Sequence, residues 1–154
     1  MRLDVPSKYM INQEFVKRKI SLIQDELVRL EKMAHFTLEE VVADFMKEAT
    51  IEHILERIIN RAIDVNQHII KEMATKEISP PKDYTETFSV LAILGVYPEE
   101  FAKSIAKSVG TRNKLTHDYD EVDHALIYSS MKDCLDDYRK YGEYILEFLE
   151  KNKK

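Results

Sequence analysis

Apolar residues recur four and three positions apart along almost the whole sequence. That spacing fits an amphipathic helix with one buried stripe. The first stripe is Val16, Ile20, Ile23, Leu27, Leu30 and Ala34. Thr37, with Glu40 three residues on, then forms a capping box that starts a second run, Leu38, Val42, Phe45 and Ala49. The phase slips near Thr50 and resumes as Ile51, Leu55, Ile58, Ala62, Val65 and Ile69. This predicts either one long helix bent near Thr50 or two helices meeting there. The last stripe is the cleanest: Ile127, Met131, Cys134, Tyr138, Tyr141, Ile145 and Phe148.

Punctuation divides these runs. Pro80 and Pro81 stop the second helix, and Asp83 caps a new one that holds Phe88, Leu91 and Ile93 and ends at Gly95. Pro98 opens the next helix, with Glu99 and Glu100 in its first turn, and Gly110 is expected to close it. No segment alternates polarity as a strand would. With 154 residues, three glycines and four prolines, the chain reads as one all-α domain over residues 1–154, an up-and-down bundle of three long and two short helices with residues 151–154 as a frayed tail. Phe36, Ile59, Ile63 and Ile70 fall outside a single stripe. They pack either against a second copy of the chain or into a broader intramolecular core.

Charge and composition narrow the function. The net charge is −5, so no global attraction draws the chain to nucleic acid. One local patch runs the other way: residues 103–114, KSIAKSVGTRNK, hold Lys103, Lys107, Arg112 and Lys114 and no acid. No apolar run approaches the ~20 residues of a membrane span, and MRLDVPSKYM lacks the apolar core of a secretory signal. Cys134 is the sole cysteine, which rules out an intrachain disulfide. Together these predict a cytoplasmic protein with no membrane association.

The stretch TRNKLTHDYD places Arg112, Asn113, His117 and Tyr119 within eight residues. If Thr111 caps a helix, Asn113 and His117 share a face at i, i+4, while Arg112 and His117 converge only if Arg112 bends back from the first turn. The residue types suit phosphodiester cleavage. An imidazole can take a proton from a ribose 2′-hydroxyl or give one to the leaving 5′-oxygen. A guanidinium forks onto phosphate oxygens and stabilises charge developing at phosphorus. No metal is needed. One histidine supplies half of the acid–base pair, and two copies facing each other in a homodimer would supply both.

RNKLTH also resembles the Arg-x(4–6)-His signature of the HEPN superfamily, and Arg112-x-x-x-x-His117-x-Tyr119 resembles the HepT-like toxins within it. ERIINRAIDVNQHII and the segment from Pro80 through Asp123 are similar to the corresponding parts of those proteins. The resemblance implies a dimeric HEPN bundle with its cleft between protomers and a metal-independent endoribonuclease activity on RNA, without a cofactor. Arg112 and His117 would be catalytic and Asn113 supporting, with Lys107 and Lys114 available to RNA. An MNT-type nucleotidyltransferase antitoxin would be the partner, transferring AMP to Tyr119. HEPN proteins often carry a polar residue on the second helix near the cleft, and Asp64 is the candidate. The alternative is a non-catalytic helical interaction module, or nucleotide-binding subunit, pairing with a nucleotidyltransferase.

Other constellations read as structural. Glu121-x-x-His124 is a single Glu-x-x-His pair where a di-iron bundle needs two. Asp64 and His68, and Glu31 and His35, have the spacing of surface helix contacts. His53 stands alone. Cys134 lies on an apolar stripe as a small buried hydrophobe, and Tyr138 and Tyr141 fit core positions better than a base-stacking platform.

Overall fold

The computed structural model describes residues 10–117 and 123–153. Among them six helices follow in order: α1 (Gln13–Met33), α2 (Leu38–Val42), α3 (Phe45–Met73), α4 (Tyr84–Ile93), α5 (Glu99–His117) and α6 (His124–Lys151). No strand occurs among the described residues.

The predicted stripes on α1, α3 and α6 are buried and meet in one core. Polar contacts across the seams fix the directions. Lys19 pairs with Asp64 while Glu26 pairs with Arg57 and Arg61, so α1 and α3 run antiparallel. Glu48 meets His124 and the Ala62 carbonyl meets Tyr141, so α3 and α6 run parallel. Helices α4 and α5 close over the α3–α6 pair. Their connection is tight because Gly95 adopts φ 87°, where a Cβ would be strained. The Gly95 N–H donates to Ala92 O and the Val96 N–H to Leu91 O, both at 3.0 Å, the pattern of a Schellman cap.

Four expectations need correction. The break in the second run falls at Asp44, whose side chain accepts from the Met46 N–H at 2.9 Å and restarts the helix, not at Thr50, which lies inside α3. This shifts the phase: Val41 is buried, whereas Val42 and Phe45 are exposed. A separate short helix, α2, results. Helix α3 ends at Met73, ahead of Pro80, because Ala74 turns to extended backbone. Gly110 does not end a helix. Helix α5 passes through it to His117, held by Val109 and Thr111, both buried, and by the Thr111–Ser130 hydroxyl pair at 3.1 Å. Such packing outweighs the ~1 kcal/mol helix cost of a glycine. Of the two readings open for Phe36, Ile59, Ile63 and Ile70, the intramolecular one holds: the three isoleucines are buried in this chain's own core and Phe36 packs against it. At the other end α6 takes in Lys151, and Asn152 caps it, two residues into the tail expected to fray.

Candidate active site

The side chain of Arg112 sits where α3, α4 and α5 meet. From α5 its Nε donates to Asn60 Oδ1 on α3 at 2.6 Å, and its guanidinium carbon lies 5.1 Å from the centre of the Tyr84 ring at the start of α4. Its Nη1 donates to Asn113 Oδ1 at 3.3 Å. Arg112 is half-buried and Asn113 exposed. An amide oxygen and a ring face both favour a guanidinium and hold it in a set plane.

The ring under Arg112 is itself anchored from the core. Asp83 caps α4 by accepting from the Glu86 N–H at 2.9 Å. Thr87 then donates to the Tyr84 carbonyl at 2.6 Å and accepts from Asn66 Nδ2 at 3.1 Å. The Tyr141 hydroxyl donates to Asn66 Oδ1 at 2.6 Å and lies 3.1 Å from the Ala62 carbonyl. Asn66, Thr87 and Tyr141 are buried, so each polar atom must find a partner inside the protein, and together they fix one register of α3, α4 and α6. Burial also raises the pKa of Tyr141 well above that of an ordinary phenol, which keeps it a neutral donor.

The other predicted residues fall as follows. Thr111 is no helix start, since α5 is continuous, so Arg112 is not a first-turn residue bending back. His117 is the last residue of α5; its side chain, and all of Tyr119 and Glu121, lie outside the described residues. Asp64 lies one turn beyond Asn60 on α3, and its carboxylate is engaged by Lys19 at 2.9 Å. Lys107 lines a small polar pocket of about 200 Å³ with Asp133, Asp136 and Asp137, carboxylates that oppose a phosphate there. Lys114 is exposed. His53 is not alone, for Arg57 Nη1 lies 3.3 Å from its Nε2. His68 accepts from the Asn12 N–H rather than contacting Asp64, Glu31 meets Arg139, and His124 meets Glu48. Cys134 is buried, with its thiol pushed up to about 12, above all by that burial.

Sequence reasoning missed Asn60 and Tyr84. A signal for Asn60 was present: in ERIINRAID a polar residue stands four before Asp64, on the same helical face. Nothing local marked Tyr84, which comes to Arg112 only through the fold.

The comparisons with known proteins agree with one another. Residues 23–145 match the family described as Ribonuclease HepT-like. The chain is 30% identical over 141 residues to the tRNA nuclease HepT of Aphanizomenon flos-aquae, covering 90% of this chain and 92% of that protein. It is 24% identical to the mRNA nuclease HepT of Shewanella oneidensis, over 66% of this chain and 74% of that one. Its fold resembles the tri-AMPylated HEPN toxin of Shewanella oneidensis solved in complex with an MNT antitoxin. The TM-score is 0.76 at 21% identity, over 88% of this chain and 98% of that one.

Proposed function

The chain belongs to the HepT-like ribonuclease family, and we propose that it is the RNA-cleaving toxin of a toxin–antitoxin pair. The observation that carries this reading is Arg112, oriented by Asn60 and stacked by Tyr84 inside a HepT-like fold. Its relatives are named for tRNA in one case and mRNA in another, so the substrate class is RNA.

In the proposed reaction the ribose 2′-hydroxyl attacks the adjacent phosphorus while one imidazole takes its proton. The 5′-oxygen leaves as a second imidazole protonates it. The products are a 2′,3′-cyclic phosphate and a free 5′-hydroxyl. Arg112 stabilises the charge that builds on the equatorial oxygens, and Asn113 steadies Arg112 from the neighbouring position. Each chain offers one motif histidine, His117, so a homodimer with two motifs facing each other completes the acid–base pair. An MNT-type nucleotidyltransferase is the antitoxin in this reading. AMP carried on Tyr119 would add negative charge and bulk within a few residues of Arg112 and oppose a phosphate there. The AMPylated toxin whose fold this chain shares supports that step.

The test is cleavage of total RNA in EDTA by purified chain, with Tyr119 shown free by mass spectrometry. Wild type is expected to leave cyclic-phosphate ends. Arg112→Ala and His117→Ala should each lose at least a hundredfold in rate. Failure of the unmodified wild type to cleave would leave a helical interaction module as the better account.

A further inference from the structure

A second cationic face lies on the α1–α3 seam, and none of the catalytic residues belongs to it. Its centre is Glu26, whose side chain is only 3% exposed. Arg57 Nε meets Glu26 Oε2 at 2.6 Å, Arg61 Nη1 meets the same oxygen at 3.1 Å, and Arg29 Nη1 meets Oε1 at 3.2 Å. One carboxylate thus faces three guanidiniums, and the positive excess points outward: the side chains of Arg57 and Arg29 are 46% and 60% exposed. Lys32 and His53 join them along an open groove of about 710 Å³ that Met33, Met46 and Ile54 also line. In a chain of net charge −5 this is a local reversal of sign.

The face is continuous with the Arg112 site. His53, Arg57 and Asn60 fall at i, i+4 and i+7 on α3 and therefore share one side of that helix. Asn60 holds Arg112, and Arg57 is one turn, about 5 Å of helix rise, away. We propose that this seam binds the phosphate backbone of a single-stranded RNA flank whose scissile bond lies at Arg112. The proposal rests on the reading of Arg112 as the cleavage site. Glu26 sets the guanidiniums in place before RNA arrives, so little side-chain freedom is lost on binding. The groove's volume suits a base lying against its apolar lining. A protein helix with acidic and apolar residues would use the same chemistry. The shared α3 side that leads to Asn60 favours RNA.

The test compares wild type with Arg29→Gln/Lys32→Gln, using a labelled single-stranded RNA of about 20 nucleotides and a trinucleotide that cannot span site and seam. The expected result is binding of the long RNA weakened about tenfold, with its log–log salt slope reduced by about 1.4, or 0.7 per cation removed. Trinucleotide cleavage should stay unchanged. If the double variant does not fold, Lys32→Gln, with Lys32→Arg as its rescue, serves instead and should reduce the slope by about 0.7. An unchanged slope and affinity in a folded variant would overturn the inference, as would loss of nucleotidyltransferase binding with RNA binding intact. Binding is read without turnover, so a wild type that binds RNA on this face yet cuts nothing would sink the nuclease reading and overturn the placement of the scissile bond at Arg112, while leaving backbone binding at the seam.

Discussion

Arg57 and Arg61 on α3 and Arg112 reaching in from α5 gather along the same stretch of α3, and their partners differ in kind. Arg57 and Arg61 are held by a buried carboxylate; Arg112 is held by an amide oxygen, a ring face and its neighbour Asn113. A carboxylate fixes a guanidinium and cancels its charge. An amide or an aromatic face fixes it and cancels nothing. The first arrangement holds two helices together and, with three guanidiniums to one carboxylate, still leaves positive charge over. The second sets the plane of the Arg112 guanidinium through Asn60 and Tyr84. The same contrast explains Glu26. Burial alone would raise its pKa, but the hydrogen bond from Arg29, the charge of Arg57 and the hydrogen bond from Arg61 together bring it below the usual 4.5.

The sharpest way to break this contrast is to remove the carboxylate. Glu26→Gln leaves three guanidiniums crowded without a counter-charge and should cost about 3 kcal/mol, a fall in melting temperature of about 6–12 °C by calorimetry. Catalysis per folded molecule on a trinucleotide should be unaffected. Acid does the same reversibly. Because the folded pKa of Glu26 lies below its usual 4.5, the stability it contributes is full above that pH and is lost as the pH falls through the folded value. Wild type should therefore show a steeper loss of stability below pH 4.5 than Glu26→Gln.

A smaller effect is expected on the other side. Asn60→Ala removes the acceptor that sets the plane of Arg112 and should lower kcat about tenfold, as loss of a hydrogen bond to a charged group would. KM and melting temperature should change little, and Asn60→Asp, which keeps the acceptor, should recover part of the rate. A drop in stability without a change in kcat would make Asn60 a packing residue only. The smallest effect belongs to Tyr84→Leu, which keeps bulk and removes the ring face. A cation–π contact at this exposure is worth about 0.5–1 kcal/mol, so a loss of about two- to fivefold in kcat/KM is expected. If Tyr84→Leu cost more than Asn60→Ala, the amide would not be the main positioning group.

What could be read from the sequence follows from what is local. The stripes of α1, of α3 from Ile51 on, and of α6 needed only their own spacing, and all but the capping Ala34 are buried as the periodicity predicts. Caps at Thr37 and Asp83 were legible because a capping side chain and its backbone donor are three residues apart. Boundaries that depend on packing were not. At Gly110 local propensity favours an end, and contacts from α6 carry the helix through it. At Asp44 a cap hidden inside an apolar run reset the phase.

The same division holds for the site. By itself the sequence determined an all-α chain, a buried Cys134, and a polar motif at Arg112 and Asn113 resembling a known family's. Only the tertiary structure decided that Arg112 meets Asn60, 52 residues away, and that Glu26 gathers Arg57 and Arg61 from another helix. It also decided that Asn66, Thr87 and Tyr141 tie the core to the base of Tyr84. Periodicity records which side of a helix faces inward. It carries no information about which residue of another helix waits there, because that depends on the register in which whole helices pack.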